Sequence, residues 1–232
     1  MDLYAAMTNR YFISYPKSGR TWLRYILFNL DLEANISFQH DGFEFNDGNR
    51  PPHNYDLGVR KKLYWDDARV VYLRRDPRDI MVSLYHQVTG RFNEYFHYQG
   101  SLSEFIRDPY FGAQVLARFR DIWQVLAENP GVLVVEYEDC HRDLEGVMRR
   151  ILDHYELTVK QKRLHKACNS ASLSQMRQLE KSGAFPHPWL NLRNGAPKVR
   201  RGRIGNYSTE LSMEDILYLN GVFGLAEGLQ QS

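Results

Sequence analysis

Cysteine is scarce in this chain: among 232 residues only Cys140 and Cys168 carry a thiol. Two cysteines do not make a disulfide framework for a chain this long, and their spacing is not that of metal ligands. Long apolar runs are missing as well. No stretch approaches the roughly 20 residues that span a bilayer, and residues 1–10 lack the apolar core that a signal peptide needs. These lacks predict a soluble, cytoplasmic protein with no membrane partner. A dominant charge is also missing, since the net charge is +2; that excludes a surface built throughout for nucleic acid. There is no internal repeat, low-complexity tract or interdomain linker, so residues 1–232 are expected to form a single domain. With 43% apolar and 25% charged residues, that domain is an ordinary globular one, large enough for a covered central sheet.

What charge there is clusters. Arg74, Arg75 and Arg78 form one group, and Lys198, Arg200, Arg201 and Arg203 another. On a near-neutral chain such clusters point to local anion sites. The apolar pattern predicts strands at 11–15, 69–74 and 132–136. Helices are expected over 21–30, from Asp76 (N-cap) and Pro77 onward, over 113–128, 142–155, 160–168 and 172–181, and after Ser212. Residues 183–209, with four glycines and three prolines, read as a long surface loop. Strands alternating with helices predict an α/β three-layer fold, a central parallel sheet flanked by helices. In such folds ligands sit beyond the carboxyl ends of the strands.

At the end of the first strand, Ser14-Tyr15-Pro16-Lys17-Ser18-Gly19-Arg20-Thr21-Trp22 leads into a helix. A glycine turn there can aim backbone N–H groups at a phosphate, with the helix dipole, Lys17 and two hydroxyls in support. A nucleoside-triphosphate loop places lysine directly after its second glycine. Here Lys17 precedes the only glycine, which disfavours a kinase or hydrolase of that kind. The segment resembles YPKSGTTW, the P-loop-like 5′-phosphosulfate loop of sulfotransferases that use 3′-phosphoadenosine 5′-phosphosulfate (PAPS), with Arg20 in place of the first Thr. Two further segments are similar to signatures of the same family. Arg75-Asp76-Pro77-Arg78-Asp79 through Val82-Ser83 matches its 3′-phosphate strand and helix, and Arg200-Arg201-Gly202 through Tyr207 its RKGxxGDW loop. Tyr137-Glu138-Asp139 matches the family's YED segment, and Ser172-Leu173 the segment flanking adenine; Trp22 stands where the family stacks on the base.

That resemblance implies PAPS as sulfuryl donor and adenosine 3′,5′-bisphosphate (PAP) as product, with no metal expected. It places Lys17, Ser18, Gly19, Arg20, Thr21 and Trp22 at the 5′ end. Arg75, Ser83, Arg200, Arg201 and Gly202 go to the 3′-phosphate, and Tyr137, Ser172 and Leu173 to the nucleoside. In-line transfer needs a cation at the leaving oxygen, the role of Lys17, and a general base for the acceptor hydroxyl or amine. His40 lies where the family carries its catalytic histidine; His86 and His97 are weaker contenders. Phe38 occupies the place of the family's second lysine, so either Lys17 acts alone or another residue, such as Arg20, compensates. Residues 41–58 and 89–112, with Phe43, Phe45, Tyr55, Phe92, Tyr95, Phe96 and Tyr98, are expected either to border a pocket for a small-molecule acceptor or to pack on the core. Two alternatives stay open, a small-molecule or nucleotide kinase and a non-catalytic binder of nucleotide or RNA. The oligomeric state is not readable, because the family's K-T-V-E dimer segment has no match in residues 208–215.

Overall fold

The structure is a computed structural model that describes residues 9–199 and 202–226. Its strands β1 (Arg10–Ser14), β2 (Ser37–Gln39), β3 (Arg69–Arg74) and β4 (Val132–Glu136) form one parallel sheet in the order β2-β1-β3-β4. Successive residues of a strand face opposite sides. Val70 and Tyr72 of β3 therefore join Ile13 of β1 in one apolar cluster, while Val71 and Leu73 join Phe12 in another. A sheet apolar on both faces must be covered on both.

The helices that cover it are, in chain order, α1 (Arg20–Asn29), α2 (Leu57–Tyr64), α3 (Pro77–His86), α4 (Asn93–Phe96), α5 (Leu102–Arg107), α6 (Ala113–Leu126), α7 (Tyr137–Arg142), α8 (Leu144–His154), α9 (Gln161–Asn169), α10 (Leu173–Ser182) and α11 (Met213–Phe223). Residues of α3, α5, α6 and α11 close the first cluster, and those of α1, α8 and α9 the second. The α/β three-layer reading is met. None of these helices is long and apolar enough to cross a membrane.

Local chemistry sets the boundaries. Asp76 caps α3 by accepting from the Arg78 amide at 2.9 Å, with Pro77 in the first turn. Ser212 caps α11 in the same way. The helix expected over 142–155 is α8, which starts at Leu144 because Asp143 leaves helical geometry and its carboxylate caps the helix through the Gly146 amide; the short α7 before it was not expected. β2 was not expected: three residues are too few to show a period, and only tertiary pairing to β1 makes them a strand. Residues 183–209 are not merely a surface loop. Phe185 and Leu190 are buried with Met176 of α10, an anchorage of roughly 1.5–3 kcal/mol for each large side chain. Phe43, Phe96 and Tyr98 pack in or against the first core cluster.

One buried ion pair fixes where the chain goes after β2. Asp41, with positive φ, accepts from Arg60 Nε at 2.5 Å and from Trp123 Nε1 at 3.0 Å, and Arg60 also donates to the Asp41 carbonyl. Both side chains are less than a tenth exposed. Removing one partner leaves the other charge buried and uncompensated. Arg60→Met is expected to lower unfolding free energy by about 3 kcal/mol, read from urea denaturation; a loss below about 1 kcal/mol would remove the pair from this role.

Candidate active site

β1 is paired with β2 on one side and β3 on the other. The chain thus leaves β1 in one direction and later crosses to the opposite side, and a crevice opens beyond the carboxyl ends of β1 and β3. A cavity of about 800 Å³ lies there, within the usual range for small-molecule sites. Its wall comes from the turn after β1, the start of α3, the end of β2 and the loops on either side of residue 190.

The turn after β1 is built to face an anion. Lys17 has φ 72° and Gly19 φ 98°, and Gly19 is the N-cap of α1 with no side-chain cap and no acid in the first turn. The helix end therefore keeps its positive partial charge on the cavity wall, beside Lys17, Arg20 and Thr21. A Cβ on Gly19 would come within 2.5 Å of the Tyr137 ring, so this position admits glycine for two separate reasons. A left-handed lysine costs about 1–2 kcal/mol, strain held at the cavity mouth. The Ser18 hydroxyl is buried without a hydrogen-bond partner.

Arg75, at the end of β3, joins three distant stretches. Its Nη1 donates to the Lys17 carbonyl at 3.0 Å and its Nη2 to the Arg203 carbonyl at 3.4 Å, while the guanidinium lies 4.5 Å above the Tyr137 ring. Its Nε is buried and unpartnered. Asp79, one turn into α3 and 2% exposed, pairs with Arg75 and accepts from the Gly205 and Tyr207 amides, each at 3.0 Å. This carboxylate staples the C-terminal loop beside the turn after β1. Asp79 is also the acid in the first turn of α3. Ser83, Tyr137, Trp22, Leu173 and Gly202 also line the cavity. Trp22 is held by an indole hydrogen bond to the Ala171 carbonyl at 2.7 Å, and Leu173 rests against Gly202. Ser172 is not on the wall: its hydroxyl accepts from the Gln175 amide as the cap of α10. Arg200 and Arg201 lie outside the described residues.

His40 follows β2 and reaches the wall beside Lys17 and Arg20. Its Nδ1 is 2.6 Å from the Ser14 carbonyl and its Nε2 2.8 Å from Arg20 Nη2. A carbonyl can only accept and a guanidinium can only donate. The tautomer is therefore set, with the proton on Nδ1 and the Nε2 lone pair held by Arg20. Burial first, then the charge of Arg20, with smaller effects of Lys198 and Lys17, hold the imidazole well below its usual pKa. It stays neutral at physiological pH. Arg20 itself falls to about 10, through burial and its neighbour Arg24, and remains charged. His86 instead pairs with Glu210, and His97 is not on the wall.

Lys198, legible in the sequence only as one of a basic run, enters the same wall. Glu180 of α10, 1% exposed, accepts from the Lys198 and Val199 amides and pairs with Arg91, fixing that loop. Burial, and then the charges of Lys17, Arg91, Arg20 and Arg24, push the Lys198 amine well below the usual lysine value. Of the residues expected near an acceptor, Phe45 and Phe92 line the cavity; Phe43, Tyr55, Tyr95, Phe96 and Tyr98 do not. Among the described residues no group of three or more His, Cys, Asp or Glu is placed to hold a metal ion.

A family model described as the sulfotransferase domain matches residues 43–231. The chain belongs to the sulfotransferase domain family. That match begins after His40, so the turn following β1 stands on its own geometry and on the longer pairwise likenesses. Human Sulfotransferase 2B1 is 24% identical over 88% of this chain, and Arabidopsis Cytosolic sulfotransferase 12 is 23% identical over 86%. The matched stretch spans 61% of the human protein and 71% of the plant one. The solved structure of mouse sulfotransferase SULT7A1 complexed with PAP superposes with a TM-score of 0.67 at 17% identity, covering 94% of this chain and 82% of that one. Retinol dehydratase in a complex with retinol and PAP gives 0.63 at 19% identity, covering 97% and 83%. These likenesses establish the sulfotransferase fold.

The contact between Arg20 and His40 yields a prediction with a definite sign. Arg20→Thr removes a positive neighbour and admits water, both of which favour the imidazolium. The His40 pKa is expected to rise toward 6.5 in a proton NMR titration; an unchanged or lower value would separate the two residues electrically.

Proposed function

We propose that this chain transfers the sulfuryl group of PAPS to a hydroxyl or amine of a small acceptor, releasing PAP. The observation that carries the reading is the guanidinium of Arg75, hydrogen-bonded at once to the turn after β1 and to the C-terminal loop. Those are the two places where a doubly phosphorylated adenosine would need its anionic ends held. The unpartnered Ser18 hydroxyl and Arg75 Nε, the uncapped start of α1 and the glycine at Gly19 fit such a ligand. Relatives named as sulfotransferases and fold neighbours solved with PAP support the same donor.

The roles of the residues follow from their chemistry. Lys17 stands at the 5′ end and offsets the charge that grows on the bridging oxygen as the sulfur–oxygen bond to phosphate breaks. The bond from sulfur to the acceptor forms in line on the opposite side. His40 Nε2 takes the acceptor's proton, provided Arg20 has first turned its donor away. Arg75 and Ser83, with the loop held by Asp79, bind the 3′-phosphate; Trp22, Tyr137 and Leu173 confine the nucleoside. Bound PAPS supplies the sulfuryl group itself, and no step in this scheme calls for a metal. No nucleic acid is required either.

A kinase or an unselective nucleotide binder would prefer, or equally accept, ATP. Calorimetry is expected to show PAP binding at least ~10-fold tighter than ATP, the worth of one well-made charged contact; equal affinities would end the proposal. Asp79→Asn should weaken PAP by roughly 10-fold or more, because it frees two loop amides and Arg75 together. His40→Ala should keep PAP affinity while removing most turnover, and near-normal turnover would pass the base role to another residue.

A further inference from the structure

Around His40 the cavity wall carries Arg20, Arg24, Arg91, Arg193 and Lys198, and its only acids among the described residues are Glu44 and Asp79, the latter paired with Arg75. Three of these cations are neutralised: Arg24 pairs with Glu33, Arg91 with Glu180 and Arg193 with Glu94. Glu44 is committed to the His40 amide at 3.1 Å. Arg20 and Lys198 form no ion pair among the described residues. One amine group of the Arg20 guanidinium, Nη1, is buried with no partner, and the other rests on a neutral imidazole. In the proposed binding mode Lys17 and Arg75 serve the anionic ends of the donor, which leaves Arg20 and Lys198 for a further anion. Two part-buried basic groups with no ion-pair partner among the described residues, set beside Lys17, gain from an anion that joins them.

We infer that the acceptor is an anionic small molecule, bearing a carboxylate, phosphate or sulfate group in addition to its accepting hydroxyl or amine, and that Arg20 and Lys198 bind that group. The inference rests on the sulfotransferase reading and deepens it. It also explains how the base is uncovered. An oxyanion is a far better partner for Arg20 than the Nε2 lone pair of His40, because both members of the new pair are charged. An acceptor carrying the anion draws Arg20 off the imidazole and frees Nε2 for the acceptor's proton; a neutral acceptor leaves the base plugged. Discrimination then falls on kcat as well as KM. Arg24, paired with Glu33, lies over the Phe38 and Trp189 rings at 4.9 and 4.7 Å and lines the same part of the cavity.

The test is PAPS-dependent turnover of matched acceptors on phenol, sugar and amine scaffolds, each as the carboxylate, the isosteric carboxamide and the phosphate monoester. On at least one scaffold the charged member should exceed the carboxamide in kcat/KM by roughly 10- to 100-fold, and the carboxylate and phosphate arms show which oxyanion fits. Lys198→Met should lower kcat/KM for the charged member far more than for the neutral one, while Lys198→Arg retains the preference. Arg20→Thr should shrink the charged-to-neutral ratio in kcat. Equal or better use of carboxamides overturns the inference, as does failure of every acceptor in protein that binds PAP. So does a Lys198→Met protein that loses affinity for PAPS but not for PAP, which would give the amine to the donor. Absence of PAP binding by the native chain would instead take down the sulfotransferase reading.

Discussion

Everything at this site is arranged around the guanidinium of Arg75 and the carboxylate of Asp79 one helical turn away. A parallel sheet leaves the ends of β1 and β3 side by side, but it does not hold the loops that extend from them. Arg75 does so by donating to the Lys17 carbonyl on one side and the Arg203 carbonyl on the other. Asp79 completes the joint by accepting the Gly205 and Tyr207 amides. A carboxylate with one cation and two backbone donors has its hydrogen-bonding capacity met although it is only 2% exposed. The loop that closes the cavity thus depends on charge held in the interior, more than on the few apolar residues it buries.

The same logic explains why the wall is so rich in cations and yet stable. Most of its arginines are tied back to carboxylates that lie behind the wall: Glu33 for Arg24, Glu180 for Arg91, Glu94 for Arg193. These acids offset the repulsion and orient the side chains. Where no acid stands behind, the side chains respond in other ways. The Lys198 amine is driven down by burial and by its positive neighbours, and Arg20 leans on an imidazole that burial and the surrounding cations hold neutral.

Much of this was legible in the sequence, and the parts that were not share a cause. β1, β3 and β4 announce themselves as short apolar runs, and α3 by its Asp76-Pro77 start, because those signals are local. The turn at Lys17–Gly19 is legible because residue order alone separates it from a triphosphate loop. β2 is not, since three residues become a strand only by pairing with β1. Nor is Asp79, whose role depends on amides more than a hundred residues away. Lys198 looked like one charge in a basic run; only the anchoring of its backbone by Glu180 turns it inward. Ser172, which the resemblance places in the segment flanking adenine, caps α10, a role its hydroxyl geometry suits.

Two departures from the family pattern, Arg20 in the phosphosulfate loop and Phe38 beside the histidine, look unrelated in the sequence but meet in space. Phe38 removes a cation from β2 and stacks its ring on Phe12 beneath Arg24. Arg20 adds a cation from α1 and aims it at His40, and Lys198 adds another from the C-terminal side. Relative to that pattern, positive charge stands on α1 and on the C-terminal loop, to either side of His40, and not on β2. A cation on β2 would have its backbone held by the pairing with β1, whereas Arg20 reaches His40 from a different element through a long side chain.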